Sequence, residues 1–344
     1  MTNNLEQTLQ AAWKQRGPLA CVLWPLSLVY GAASGLHRQL YRWGLLKTEA
    51  LPVPVVVVGN IVAGGGGKTP TVMALVQHMQ AQGLRPGIIS RGYGRLGTNC
   101  QEVKPDSLAD LVGDEPALMR RNCQVPVFVA AKRFDAASAL LAAYPGVNVI
   151  VSDDGLQHHA LRHDLSVIVF DDRGLGNGWL LPAGPLRQSV SSAQTDSNIV
   201  LHTGQAPKLL KNVAAPQFTA HRALADDVVQ VDGSRVPLSS LQGSLSEKPL
   251  LALAGIAKPE AFFSMLQQSG LTTFETLALP DHYNFNSELL NKYAGYSLIC
   301  TEKDAIKLWP IRPDAWSAPL VFEPEAAFFA AFDAALAPFL LTSS

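Results

Sequence analysis

The sequence predicts an α/β fold, a parallel sheet sandwiched by helices, with a second, smaller α/β domain joined to it by a short β linker. Three observations carry that expectation. From residue 53 onward, short β-branched runs alternate with amphipathic stretches, the pattern of right-handed βαβ units whose sheet is covered on both faces. A glycine-rich turn follows the first of those runs. The texture then changes near residues 216–240, before the alternation resumes.

Taken in order, Val53 to Val58 is a nearly continuous β-branched run, the composition of a strand buried on both faces. The glycine turn leads into a helix expected from about Thr69 to Gln82 and closed by Gly83. Apolar runs at Gly87–Ser90, Val125–Ala130, Val147–Val151, Leu165–Phe170 and Asn198–Leu201 supply the following strands. Gln217–Arg222 and Val228–Val236 are strand-like, the second with an Asp232-Gly233 turn signal, and form the expected linker. Beyond it lie a strand at Leu250–Ala254, a helix at Pro259–Ser269, a strand at Ser297–Thr301 and a final helix at Glu325–Leu340. The expected organisation is an N-terminal helical segment over 1–50, a first α/β domain over 51–215, the linker over 216–240 and a second α/β domain over 241–344.

Of the 344 residues, 48% are hydrophobic and 16% charged, which fits a globular chain with ample core and argues against disorder. A formal net charge of -1 offers no field to attract nucleic acid, and nothing points to an obligate protein partner. The charge is uneven, however. Residues 1–47 carry a net +4, which leaves −5 on the remainder and suggests an anionic surface, a membrane, as partner. Lys14 and Arg16 precede an uncharged run from Gly17 to Leu36 that mimics a signal peptide or anchor. Pro18 and Pro25 interrupt that run, and Gly31, Ser34 and Gly35 dilute it. Leu36, Leu40, Trp43 and Leu46 then recur at helical spacing with Arg38, Arg42 and Lys47 between them, the pattern of a helix lying in a bilayer interface. A helix packed on the protein's own core and a true membrane span are the alternatives. Four scattered cysteines, with no C-x-x-C pair, read as reduced thiols.

The strongest local signal is Gly59-Asn60-Ile61-Val62-Ala63-Gly64-Gly65-Gly66-Gly67-Lys68-Thr69-Pro70, set between a buried strand and a helix. That context is the one a P-loop requires, so the first domain is expected to be P-loop NTPase-like. Glycines let successive N–H groups turn inward as an anion nest, and the helix adds the positive end of its dipole. Val62, Ala63, Gly64, Gly65, Gly66, Gly67, Lys68 and Thr69 are therefore the candidate ATP cradle, with Lys68 on the β- and γ-phosphates and the Thr69 hydroxyl on Mg²⁺. The motif G-x-x-x-x-G-K-[ST] would place its first glycine at position 62, where this chain has Val62.

Asn148 to Gly155 is an apolar strand ending in Asp153 and Asp154, and ligands of parallel sheets bind beyond such carboxyl ends. The pair is a candidate for holding Mg²⁺, or an ordinary Asp-Gly turn. Asp171-Asp172 follows the next strand and is either a second pair at that edge or a turn. Asp114, in Gly113-Asp114-Glu115-Pro116, is a candidate general base or a helix start, and Asp281-His282 a catalytic pair or a cap. His158, His159 and His163 lack metal-ligand spacing, which favours a structural or substrate-facing role.

These segments together resemble the tetraacyldisaccharide 4'-kinase family. Beside the glycine loop, Ser90-Arg91-Gly92-Tyr93-Gly94-Arg95, Gly113 to Pro116, Asp153-Asp154-Gly155-Leu156-Gln157-His158, Pro182-Ala183-Gly184-Pro185-Leu186-Arg187, Leu279-Pro280-Asp281-His282 and Thr301-Glu302-Lys303-Asp304-Ala305 stand in order. The family usually follows P-L-R with an acid, and this chain has Gln188 there. The resemblance implies transfer of the ATP γ-phosphate to the 4'-hydroxyl of an acylated disaccharide 1-phosphate, forming lipid IV-A. It further implies a site at the cytoplasmic face of a Gram-negative inner membrane, with the enzyme peripheral or shallowly inserted. By carry-over, Asp114 activates the sugar hydroxyl, paired with His282 from the second domain. Lys68 stabilises the migrating phosphoryl group, and Thr69, Asp153 and Asp154 serve Mg²⁺. Arg91, Tyr93, Gln157, His158 and Arg187 contact substrate, and catalysis across two domains implies closure of a cleft. Two rival readings remain at this level. A GTPase or metal-insertion ATPase usually needs N-K-x-D or T-K-x-D, which Thr301 to Asp304 approaches with one extra residue. A non-catalytic nucleotide-binding membrane partner would have no need of Asp114 or His282.

Overall fold

The computed structural model describes residues 8–9, 11–193, 198–204, 209–211, 213–241 and 248–341. The chain forms two compact units, one of Met1–Arg91, Val125–His221 and Glu323–Ser344, the other of Gly92–Gln124 and Arg222–Phe322.

The first unit is built on seven parallel strands: β1 (Val55–Gly59), β2 (Pro86–Ser90), β3 (Val127–Val129), β4 (Val149–Asp153), β5 (Leu165–Phe170), β6 (Asn198–His202) and β7 (Gln217–Leu224), in the order β7-β6-β5-β1-β4-β2-β3. Every residue of β1, β2, β4, β5 and β6 is buried, as β-branched strands covered on both faces should be. The helix Lys68–Ala81 buries Thr71, Val72, Leu75, Val76 and Met79, and the helix Ala326–Leu341 buries Phe328, Phe332 and Leu336, each set on one helical stripe. After β1 the chain steps past β4 to β2, and it later returns to β5 on β1's other side. The order therefore switches at β1, and the carboxyl end of β1, where the glycine loop begins, is where such a sheet binds its ligand.

The N-terminal helix runs unbroken over Pro18–Arg42, 25 residues, so Pro18 and Pro25 do not interrupt it: Pro18 occupies its first turn and Pro25 lies within it. It is long and apolar enough to cross a membrane. Only Ala20 and Ser27 are buried, while Val22, Leu26, Leu28, Val29 and Leu36 are exposed, so the helix lies on the protein by one face rather than inside its core. One face is seated: Ser27 Oγ donates to Leu180 O (2.8 Å) and accepts from Ala183 N (2.9 Å), and the Tyr30 hydroxyl donates to Arg187 O (2.9 Å).

The second unit holds β8 (Asp227–Val229), β9 (Arg235–Pro237), β10 (Leu250–Ala254), β11 (Glu275–Ala278), β12 (Ser297–Thr301) and β13 (Trp316–Ala318), ordered β9-β8-β13-β12-β10-β11. Strands β13, β12, β10 and β11 are parallel; β8 and β9 form an antiparallel hairpin on β13. The helix Asp114–Cys123 belongs here because it packs on the helix Glu302–Leu308, with Asn122 Nδ2 donating to Glu302 Oε1 (3.0 Å) and the Arg121 guanidinium 4.2 Å from the Trp309 ring centroid.

These units differ from the linear partition expected above. Residues 92–124 leave the first α/β body, and 323–344 return to it through the Ala326–Leu341 helix packed on β6. The expected linker is divided too: β7 extends the large sheet, whereas β8 and β9 join the small one. Strand β11 escaped the sequence reading because three of its four residues are exposed, leaving no apolar run.

Candidate active site

The glycine loop is held open by its own carbonyl groups. Gly64 and Gly67 take φ of +95° and +84°, the left-handed region that glycine enters without strain, and a Cβ on Gly67 would lie 2.8 Å from Thr203 Oγ1. Each carbonyl from Ala63 to Gly66 is drawn outward. Arg173 donates to Ala63 O (3.1 Å) and Gly65 O (2.8 Å), Asn60 Nδ2 to Gly64 O (2.8 Å), and Thr203 Oγ1 to Gly66 O (2.8 Å). Arg173 is itself fixed by Asp171, whose two carboxylate oxygens each lie 2.9 Å from Nε. With carbonyls out, N–H groups face in. Among the described residues, those of Gly64 to Gly67 have no protein acceptor, which is the state of an anion nest.

A second segment runs along the loop. Leu186 bridges Val62 in antiparallel sense, Ala63 N donates to Pro185 O (2.7 Å) and Arg187 N to Ile61 O (2.7 Å). That pairing delivers the Arg187 side chain to Asp154, with Nη1 at 3.2 Å and 3.3 Å from its two oxygens, and Lys68 Nζ stands 3.7 Å from the same carboxylate. Asp154 follows β4 at φ +49° with its N–H on Val58 O (2.8 Å), which sets its side chain at the mouth of the loop. The buried Asp153 accepts from Ser90 Oγ (3.2 Å), and Arg133 Nη2 donates to the Asp153 backbone carbonyl (3.1 Å).

In the second unit, Gly113 (φ +97°) turns the chain so that Asp114 begins the helix Asp114–Cys123, where the helix dipole favours a carboxylate. Asp114 Oδ2 is 2.9 Å from His282 Nδ1 and 2.9 Å from Lys307 Nζ. His282 is held at φ +59° by its N–H on Gly255 O (3.2 Å); Gly255 N in turn donates to Asp304 Oδ2 (3.0 Å), and Thr301 Oγ1 lies 2.7 Å from that oxygen. Lys303 Nζ reaches Glu115 Oε1 (3.0 Å), Asp281 Oδ1 (3.1 Å) and His282 Nε2 (3.3 Å). Burial pushes the Asp114 carboxyl up, but the His282 hydrogen bond and Lys307 outweigh it and hold Asp114 below the usual carboxylate range. The same hydrogen bond raises the His282 imidazole above its ordinary value, against burial and Lys303. A carboxylate bonded to an imidazole of raised basicity has the chemistry a general base needs to take a proton from an alcohol.

A family model described as Tetraacyldisaccharide-1-P 4'-kinase matches residues 19–337. The chain belongs to this family. Relatives named Tetraacyldisaccharide 4'-kinase include that of Acidovorax sp. (strain JS42), 54% identical over 333 residues, which cover 97% of this chain and 95% of that one. That of Polaromonas naphthalenivorans (strain CJ2) is 52% identical over 342 residues, covering 98% and 96%. Among solved structures, the "apo" form of LpxK from Aquifex aeolicus in complex with ATP superimposes with a TM-score of 0.77 at 27% identity, covering 94% of this chain and 99% of that one. This member of the tetraacyldisaccharide 4'-kinase family is an enzyme, an ATP-dependent kinase with the α/β fold expected from its sequence.

Against that family reading, Val62 to Thr69, Asp154 and Arg187 converge at the loop, and Gln157 joins them by donating to Asn60 O (3.0 Å) and to Gln188 Oε1 (3.4 Å). Gln188 thus braces Gln157 where the family usually has an acid. Arg91 is exposed at the end of β2 in the first unit, and His158 is half-buried, its imidazole depressed by burial and then by Arg133 and Arg91. Tyr93 lies in the second unit, its ring centroid 5.3 Å from that of His282. Asp114 and His282, expected from two different domains, stand in one unit. Asp171 stands at the loop edge of the sheet, where it holds Arg173. Sequence reasoning missed Arg173, Thr203 and Lys307 outright, and passed over Lys303 and Asp304 as mere members of a motif.

Proposed function

We infer that this protein transfers the γ-phosphate of ATP to the 4'-hydroxyl of a tetraacyldisaccharide 1-phosphate, giving lipid IV-A, with the residues assembled above in named roles. The observation that carries those roles is the Asp114–His282 pair, bonded at 2.9 Å in a chain that also carries a glycine loop. A glycine loop alone binds nucleotide; an alcohol acceptor also needs a base. The N–H groups of Gly64 to Gly67 and the Lys68 ammonium hold the phosphates and take up the charge that develops on them. The Asp114–His282 pair takes the hydroxyl proton as a unit, the imidazole receiving it and the carboxylate stabilising the imidazolium. The proton leaves the oxygen that the γ-phosphoryl group joins, so both sets of residues are needed. Arg91, Arg187, Tyr93, Gln157 and His158 are the candidate contacts for the anionic sugar headgroup.

Thr69, Asp154 and Asp153 offer hard oxygen donors of the kind Mg²⁺ takes, and Asp154, beside Lys68, fits it best, since Asp153 is turned toward Ser90. When bound, Mg²⁺ supplies charge neutralisation at the phosphates.

The acceptor carries four acyl chains, and the N-terminal helix is the element suited to meet it at a membrane. Its seated face (Ala20, Ser27, Tyr30) lies against the protein while Val22, 74% exposed, and Val29, 67% exposed, project away with Leu26 and Leu28. A helix with one face on protein, an exposed apolar face and Arg38 and Arg42 in its last turns supports a peripheral, shallowly inserted enzyme, and its need for ATP argues for the cytoplasmic side. Flotation with anionic phospholipid vesicles tests this: Val22→Glu combined with Val29→Glu releases the protein from vesicles, and undiminished flotation refutes the docking role.

The activity test incubates the full chain with Mg²⁺, γ-labelled ATP and detergent-dispersed tetraacyldisaccharide 1-phosphate. Label is expected in the lipid and is expected to collapse in Lys68→Ala and in Asp114→Ala. An Asp114→Ala variant of undiminished activity would remove the base from the mechanism.

A further inference from the structure

We propose that Lys307 is a positioning residue of the kinase reaction: its ammonium shares Asp114 Oδ2 with His282 and fixes the carboxylate as the charged partner of the imidazole. The proposal rests on the reading of Asp114 and His282 as the base.

Lys303 and Lys307 are four residues apart on the helix Glu302–Leu308, so both ammonium groups leave the same face. Their partners differ. Lys303 is divided among Glu115, Asp281 and His282 Nε2, whereas Lys307 Nζ stands 2.9 Å from Asp114 Oδ2, with the Phe285 ring centroid 6.0 Å away. The Lys307 side chain is 6% exposed and that of Asp114 9%. Burying an ammonium group is costly unless a carboxylate meets it, so a surface-style pair would not explain this placement. Lys307 touches no atom positioned to react; it acts through the oxygen that His282 also uses.

The charges facing Asp114 come from every element around it: Glu115 from its own helix, Asp281 and His282 from the loop after β11, and Lys303 and Lys307 from the Glu302–Leu308 helix. Asp304, raised by burial, also faces both lysines from the same helix. Whatever the sum of these charges, removing Lys307 takes one positive charge from the cluster in either state of the imidazole. Protonation is then easier, and the base is blocked at a higher pH. The sign is the same whether the proton resides on His282 or Asp114. For Asp114, Lys307 is an opposite charge close enough to displace a titration by about one unit or more, and the imidazole feels it through the shared Oδ2.

The experiment compares the pH profile of kcat/KM for the lipid in the parent, Lys307→Met and Lys307→Arg, which reports the free enzyme's base. The acid limb is expected to move up, by as much as about one pH unit, in Lys307→Met and to return in Lys307→Arg, with KM for ATP unchanged. A limb that stays in place in Lys307→Met overturns the proposal, whether rates fall evenly at every pH or not at all. If Lys307→Met melts well below the parent, Lys307→Gln takes its place, and NMR titration of the His282 imidazole in the full chain reads the same quantity without turnover. An unmoved imidazole is equally fatal. Asp114→Ala, assayed in parallel, separates the two failures: if it retains activity the base reading itself is wrong, and if it collapses while the Lys307 limb stays put only the role of Lys307 is lost.

Discussion

Thr203→Val removes one hydroxyl from beneath the glycine loop and changes almost nothing else. Thr203 is fully buried, and its Oγ1 donates to Gly66 O at 2.8 Å. Its other neighbour, Phe170 O at 3.3 Å, already accepts from Thr203 N at 2.7 Å, so only the Gly66 carbonyl is orphaned. Valine keeps the shape of threonine. Leaving a buried carbonyl unsatisfied costs about 1–3 kcal/mol. A chain of glycines relieves that cost by turning the peptide, since glycine accepts either sign of φ, but turning it points the Gly67 N–H away from the phosphate. The cost then appears in nucleotide binding. Expressed fully there, it raises KM for ATP by about 5-fold to 150-fold, with KM for the lipid unchanged. Steady-state kinetics at saturating lipid measure it. Thr203→Ser is the companion: it keeps the hydroxyl and loses a methyl group, so its KM for ATP should stay within about twofold while its melting temperature drops slightly. A Thr203→Val enzyme with the parent's KM for ATP would refute the idea that outward-held carbonyls set the loop. Equal damage in Val and Ser would assign the effect to packing.

Three further outcomes follow from the second unit. Asp114→Asn and His282→Gln should each lower kcat by about 10²- to 10⁴-fold, and the double variant should be no worse than the more damaged single one, because the two act as one base. Gly113→Ala places a Cβ 3.0 Å from Gly92 Cα at φ +97°, and should destabilise the fold by about 1–3 kcal/mol, read as a melting point several degrees lower. The Asp114–His282 bond also makes stability depend on pH. His282 is raised, so its contribution is complete below its unfolded value of about 6.5 and is lost as pH rises through the folded one; Asp114 is lowered, so its contribution is present above about 3.9 and is lost as pH falls through its folded value. Melting profiles of His282→Gln should therefore lack the part of the decline above about pH 6.5 that the parent shows, and superimposable profiles would contradict it.

What the sequence made legible was whatever a few consecutive residues decide. Leu165–Phe170 and Leu250–Ala254 were bounded correctly because each is a short apolar run closed by a polar or glycine residue, and the glycine loop because four consecutive glycines between an apolar run and Lys68-Thr69 stand out locally. The partners of that loop were not legible. Arg173 lies 108 residues beyond the Gly65 carbonyl it holds, and Thr203 lies 137 residues beyond Gly66. Only the adjacency of β1, β5 and β6 in the folded sheet brings them together. Asp171 looked like a turn or a metal ligand for the same reason: its partner Arg173 is two residues away, but the task of that arginine is defined by a distant carbonyl.

The Thr301 to Ala305 segment shows how a motif is visible as a pattern long before its chemistry is. Its residues act in three directions, and Lys307 just beyond it in a fourth. Glu302 takes Asn122 Nδ2 and Leu320 N, Lys303 spans Glu115, Asp281 and His282, Asp304 holds the Gly255 N–H, and Lys307, two residues past the motif, meets Asp114. None of these partners is within ten residues, so local patterning had nothing to report. The base is consequently assembled inside one unit from three stretches of chain, while the phosphate cradle is assembled inside the other from its own. The division has a kinetic consequence. Substitutions at Thr203, Arg173 or Asn60 should move KM for ATP and leave the pH profile alone, whereas those at Lys307, Lys303 or Asp304 should move the pH profile and leave KM for ATP alone. If Asp304→Asn changed KM for ATP as strongly as it changed the acid limb, the two halves of the machinery would be energetically coupled, and neither could be treated as a site in its own right.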